Sequence, residues 1–220
     1  EIRLSLVGSE MCIRDRVYHG QLGSQGDRVE RVRSIARALA VASGQPSLAE
    51  AADRAARLAK ADLLTDMVGE FPELQGVMGG YYARHDGEGD AVARAIEDHY
   101  RPRFAGDDLP RDPLGVLVAL ADKLETLVGL FGIGQLPTGD RDPFALRRHA
   151  LGVIRMLREA LPGLALDEVV RTAISSPAWP ASVVVNATEP GGPQLHDRLM
   201  QFFRDRLAVL LRDEGHAALA

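Results

Sequence analysis

The sequence predicts an all-α protein, a helical bundle with a Pro/Gly-rich loop before a C-terminal helix. Three observations carry this. Apolar residues recur at three- and four-residue spacing in successive windows, the period of an amphipathic helix. Capping residues or Asp-Pro pairs open those windows and Gly or Pro closes them. No alternating strand pattern precedes Ser175. A hydrophobic share of 46% over 220 residues is enough to fill a core.

The first window begins at Asp27, with Val29, Val32, Ile35, Ala36, Leu39 and Ala40 on one face until Gly44 and Pro46 break it. Ser47 and Glu50 have capping-box spacing. They predict an Ala-rich helix to about Val68, with Leu58, Ala61, Leu64 and Val68 on one side. Residues 75–84 and 90–99 predict two shorter helices around the corner His85-Asp86-Gly87-Glu88. Asp112-Pro113 supplies an N-cap and an N1 proline for residues 114–131, which are apolar nearly all round and predict the central helix. Asp142-Pro143 repeats that signal for residues 144–161, and Pro162-Gly163 ends them. Residues 175–193 predict a loop or linker containing one β-prone run, 182–186, and helical periodicity resumes over 195–211. The organisation expected is a helical domain over 17–174, the linker, and a helix over 194–220 leading into a truncated C-terminal region. Residues 1–16, EIRLSLVGSEMCIRDR, lack the apolar stretch of a signal peptide and resemble a translated sequencing adapter, so a non-native leader is expected.

Composition narrows the function. Twenty-six Lys and Arg against 31 Asp and Glu give a net charge of −5, which argues against wrapping nucleic acid through bulk positive charge and leaves room for a local basic stripe. DNA is not an expected partner. Asp122, Lys123 and Glu125 interrupt the longest apolar run, so no membrane span is expected. Cys12 is the single cysteine, which excludes an intramolecular disulfide or thiolate zinc cluster and favours the cytoplasm.

Asp62, His85-Asp86 and Asp122 stand in apolar or glycine-rich surroundings. Asp122 follows Val116-Leu117-Val118-Ala119-Leu120-Ala121, where an unpaired carboxylate is costly. It pairs with a neighbouring helix, meets solvent at an edge, or holds a metal or substrate. His99, His149, His196 and His216 have no ligand-like spacing, and no phosphate-binding glycine loop occurs. No catalytic residue and no metal site are assigned. Arg141, Arg148 and Arg155 recur every seven residues and Arg147 and Arg158 lie eleven apart, which predicts stripes on one helix. Residues 141–160 hold five Arg against Asp142 and Glu159, net +3. These arginines either meet RNA phosphates or a subunit, or solvate the helix and pair with neighbouring acids. Arg84 and His85, beside Tyr81 and Tyr82, either stack bases or pack a corner. Arg101 and Arg103, ahead of Gly106-Asp107-Asp108, either contact RNA or order their own loop.

Ala121-Asp122-Lys123-Leu124 and residues 57–63 resemble the late-aspartate and His-Asp helices of HD-type phosphohydrolases. That family's metal needs an earlier His, the His-Asp pair and the late Asp. Here the pair reads Ala61-Asp62 and the helix from Asp27 contains no His, so the resemblance implies a degenerate pocket at Asp62 and Asp122. A closer resemblance rests on Gly76-Val77-Met78-Gly79, Tyr82-Ala83-Arg84-His85-Asp86-Gly87-Glu88, residues 100–110, 121–127, 131–134 and 142–148 in order. These are similar to the β subunit of bacterial two-subunit glycyl-tRNA synthetase, from about Val17 to Gly215, and to only the middle of that longer subunit. The resemblance implies an HD-domain-like bundle that takes part in glycine attachment to tRNA(Gly), with the α subunit and tRNA(Gly) as partners. ATP and Mg2+ would act through the α subunit, with no cofactor in this chain. The residues expected to face RNA are Arg84, His85, Arg101, Arg103, Arg147, Arg148 and Arg155. The alternatives are a metal-dependent phosphohydrolase and a non-catalytic helical scaffold.

Overall fold

The computed structural model describes Leu6 and residues 13–183 and 194–215. The bundle is organised around one buried helix, and each neighbour is placed by the apolar face it turns inward. Helix α1 (Gln25–Ala42) opens with a capping box in which the Ser24 hydroxyl and the Asp27 carboxylate each accept from the other's backbone N–H. It buries Val29, Val32, Ile35, Ala36, Leu39 and Ala40, the face its periodicity predicts. Helices α2 (Ala49–Leu58), α3 (Asp66–Glu70), α4 (Val77–His85) and α5 (Asp90–Asp98) follow. Helix α6 (Pro113–Gly132) is buried from Leu114 to Gly132, as its all-round apolar character requires. Asp112 caps it by accepting from the Gly115 N–H at 2.9 Å. Helices α1, α2, α5, α7 (Leu146–Glu159), α8 (Leu166–Ile174) and α9 (Leu195–Asp213) all pack on it.

Helix α9 joins this same core through Leu195, Leu199 and Phe203, and the Phe131 and Phe202 rings meet at 5.0 Å. Trp179 folds the segment after α8 inward, its indole N–H donating to the Ala173 carbonyl at 2.8 Å. Val183 lies so close to Gly132 that a Cβ there would come within 2.7 Å of it. Residues 184–193, which hold most of the expected loop and of its β-prone run, lie outside the described residues, and 181–183 are helical.

Four expectations are corrected. The Ala-rich segment is not one helix: α2 ends at Leu58, a 3-10 turn occupies Ala61–Leu64, and α3 starts afresh. The Thr65 hydroxyl donates to the Asp62 carbonyl at 2.7 Å and accepts from the Val68 N–H, and this side-chain bonding defeats the helical preference of the alanines. The box at Ser47 and Glu50 does not form, because Pro46 begins a 3-10 turn that contains Ser47 and leaves Leu48 at the cap position. Helix α7 starts at Leu146 rather than residue 144: Ala145 is left-handed (φ 55°) and Asp142 accepts from the N–H groups of Leu146 and Arg147 at 2.8 and 2.9 Å. Arg141 therefore sits in a bridge with Thr138, off the helix. A small hairpin of β1 (Val17–His19) and β2 (Gly23–Ser24) precedes α1, too short for alternation to register.

Leu120 lies at the middle of α6 with 0% exposure. Leu120→Ala is expected to cost about 2–5 kcal/mol through lost burial and a residual cavity. Chemical denaturation would register this as a lower midpoint at unchanged slope.

Candidate functional site

Within the most apolar helix, α6, Asp122, Lys123, Glu125 and Thr126 are all buried. Arg28 of α1 reaches three of them. Its Nη2 donates to Asp122 Oδ1 at 3.0 Å and Thr126 Oγ1 at 2.9 Å, and its Nε donates to Glu125 Oε2 at 3.0 Å. Arg31, one turn on, donates from Nε to Glu125 Oε1 at 2.9 Å. Lys60 approaches Asp122 Oδ1 at 3.2 Å from the turn after α2. It also donates to His99 Nε2 at 2.8 Å, which places the imidazole proton on Nδ1, donating to the Ile96 carbonyl at 2.6 Å. Aromatic faces close the network: Tyr18 of the hairpin over Arg28 at 4.6 Å, Trp179 over Arg31 at 5.0 Å and Tyr100 over Lys60 at 3.9 Å.

Burial alone would raise the Asp122 carboxyl, but Arg28 and then Lys60 hold it far below the usual carboxylate range. Burial lowers Lys60 to about 8, with Asp122 opposing. Burial, reinforced by the Lys60 charge, lowers His99 to about 3 and keeps it neutral.

Asp62 is fully buried in the 3-10 turn, and it serves a helix end. Its Oδ2 accepts from the N–H groups of Gly76 (2.6 Å) and Gly79 (3.2 Å) at the start of α4. Gly76 is left-handed (φ 81°), and a Cβ at Gly79 would stand 2.8 Å from Ile96 Cγ2, so both glycines are dictated by this approach. Burial raises the Asp62 carboxyl, with the Gly76 N–H opposing. Its Oδ1 has no hydrogen-bond partner among the described residues.

Asp122 is thus neutralised by side-chain cations and Asp62 is held by backbone N–H groups. Among the described residues no three His, Cys, Asp or Glu converge as metal ligands. Two cationic nitrogens on Asp122 Oδ1 do not fit a bound metal ion, and no step is derived through one. Sequence reasoning missed Arg28, Arg31 and Lys60. The available signal was two arginines three apart on the apolar side of α1, and a lysine two residues before Asp62.

The arginines expected to face RNA are mostly engaged. Arg84 lies 3.4 Å from Asp90 and 3.7 Å from Glu97, and His85 lies 3.5 Å from Asp86. Arg101 approaches Asp98 at 3.4 Å, and Arg103 pairs with Asp107 at 3.0 Å through both side chain and backbone, so their loop orders itself. Arg147 donates to the Gly139 carbonyl, and Arg155 donates to the Asp107 carbonyl (2.8 Å) and Glu159 (3.2 Å). Arg148 is exposed and makes no hydrogen bond or ion pair among the described residues. The structure brings Arg103 and Arg148 together around a cavity of about 330 Å³ with Tyr100, Lys123 and His149. Arg148 and Arg155 line a second cavity of about 360 Å³ with Pro102 and Phe104. Arg84 and His85, at the α4–α5 corner, line neither.

Removing one partner of a buried ion pair strands the other, so Asp122→Ala is expected to cost about 3–5 kcal/mol. Adding Lys60→Met should recover part of that loss, a coupling that a double-mutant cycle in denaturant would measure. Burial lowers both His99 and His149 to about 3, whereas unfolded imidazoles titrate near 6.5. Below about pH 6.5 the unfolded chain takes up protons that the folded chain does not, so this contribution is complete above pH 6.5 and fades toward pH 3. The unfolding midpoint should fall from pH 7 to 5, and less steeply in His99→Gln.

Comparison with known proteins agrees with the motifs. The family model described as "Glycyl-tRNA synthetase beta subunit" matches residues 9–220. Proteins named "Glycine--tRNA ligase beta subunit" are 61% identical over 202 residues in Thiobacillus denitrificans, 62% over 205 in Paracidovorax citrulli and 63% over 202 in Delftia acidovorans. Each comparison covers 92% of this chain and 27% of the relative, so the chain spans about a quarter of the length of the proteins it matches. With its bundle, its ordered motifs and this identity, the chain belongs to the glycyl-tRNA synthetase β-subunit family.

Proposed function

We propose that this chain is a tRNA-positioning and assembly region of glycine–tRNA ligase, working in the cytoplasm beside an α subunit on tRNA(Gly). In this reading ATP and Mg2+ act through the α subunit, and no residue here touches the reacting atoms. Asp62 and Asp122 mark an HD-like pocket turned to structural use. The observation that carries the proposal is Arg148. It stands exposed and unpaired where two cavities meet, with Arg103 and Lys123 beside one and Arg155 beside the other. Guanidinium groups in such a setting suit phosphate oxygens, and a net charge of −5 over the whole chain keeps the attraction local. Among the described residues no helix is long and apolar enough to cross a membrane.

Arg148→Ala in the full α and β enzyme is expected to raise the tRNA KM several-fold and to leave glycine-dependent ATP–pyrophosphate exchange unchanged. Loss of one phosphate contact should reduce the slope of log affinity against log salt by about 1. An unchanged slope would assign this face to scaffolding.

A further inference from the structure

The cavity between the Tyr100–Arg103 turn and the first half of α7 has a buried floor. That floor is Lys123. The residue is 2% exposed and lines the cavity, and its ammonium makes a single hydrogen bond among the described residues, to the Tyr100 carbonyl at 3.1 Å. No carboxylate lies within ion-pair distance of it among the described residues, although the Asp122 and Asp107 charges act on it from farther off, so two of its three N–H donors have no protein acceptor there. A buried ammonium in that condition is costly unless an anion or water meets it.

The surroundings are shaped to the lysine. A Cβ at Gly152 would come within 2.9 Å of Lys123 Cε, so α7 is notched where the side chain passes. His149 borders the cavity with an imidazole that has no hydrogen-bond partner among the described residues. Burial and the Lys123 charge keep that imidazole neutral, with one N–H to offer. Arg148 stands at the mouth with its whole guanidinium free, and Glu73 is the single acid in the wall.

We infer that this cavity is an anion pocket that seats one phosphate group between the Lys123 ammonium, the His149 ring and the Arg148 guanidinium. Two N–H donors from the lysine, two from the arginine fork and one from the imidazole exceed the roughly four acceptor sites of a carboxylate, and they suit a tetrahedral oxyanion. The group is either a phosphodiester of RNA or a free phosphate. The first source rests on the tRNA-positioning reading and the second does not.

The test uses the full α and β enzyme, with Lys123→Met, which keeps the apolar stem, and His149→Phe, which keeps a planar ring and removes its N–H. The first probe is inorganic phosphate in thermal melts against chloride at matched ionic strength. A phosphate-dependent rise in Tm should be smaller in both variants. The second probe is tRNA(Gly) binding across a salt series. Lys123→Met should weaken it roughly ten-fold and lower the salt slope by about 0.7–0.9. Loss of the phosphate effect with an unchanged tRNA slope would assign the pocket to free phosphate. Loss of both would assign it to RNA. Variants that match the wild type in both assays would overturn the pocket, and if Lys123→Met does not fold, His149→Phe alone decides. An Arg148→Ala enzyme with normal tRNA binding and a phosphate-dependent rise in Tm that is reduced but still depends on Lys123 would sink the tRNA-positioning role and leave the pocket standing.

Discussion

Two carboxylates in the middle of the least polar helix constrain the rest of the structure. Asp122 and Glu125 are buried away from bulk water, so folding must deliver cations to them, and it does so from two directions: Arg28 and Arg31 along α1, and Lys60 from the turn after α2. Attraction across such pairs roughly offsets the loss of hydration, so the net gain is small and the geometric demand is large. Helix α1 is fixed in rotation about its own axis, the chain must break after Leu58 to bring Lys60 inward, and three aromatic rings cover the charged atoms.

The same partition of charge shapes the surface. Most arginines that look available in the sequence are tied to nearby acids or carbonyls, among them Arg103 to Asp107, Arg155 to Glu159 and Arg158 to Glu214. Arg148 escapes because Asp142 is occupied with the N–H groups that open α7 and Glu159 with the next arginines along. A net count of +3 over 141–160 therefore overstates what this helix offers a polyanion.

Much of the architecture was legible. The 3.6-residue period marked α1 and α9, and the absence of any polar face marked α6 as central. The misses have two causes. The break near residue 60 and the late start of α7 depend on single side chains bonding to backbone, whereas the hairpin is too short to show alternation and α8 is nine residues long between a Pro-Gly stop and a Pro-rich stretch. In the site, the need of Asp122 for a partner could be read from its apolar neighbours. The partner could not, because Arg28 lies 94 positions away. Asp62 looked like half of a ligand pair and proved to be the anchor of α4, a role visible only once Gly76 and Gly79 are placed beside it.

That separation of 94 positions also sets an order of events during synthesis. A ribosome releases α1 well before it releases α6, and in the interval α1 has its neighbour α2 but no counter-charge for Arg28 and Arg31. The early helices can associate through their alanines and leucines, yet their final seating waits for a distant stretch of chain, a high-contact-order closure of the kind that slows folding. The nascent N-terminal half is therefore a period of exposure, when chaperones would find the apolar face of α1 uncovered.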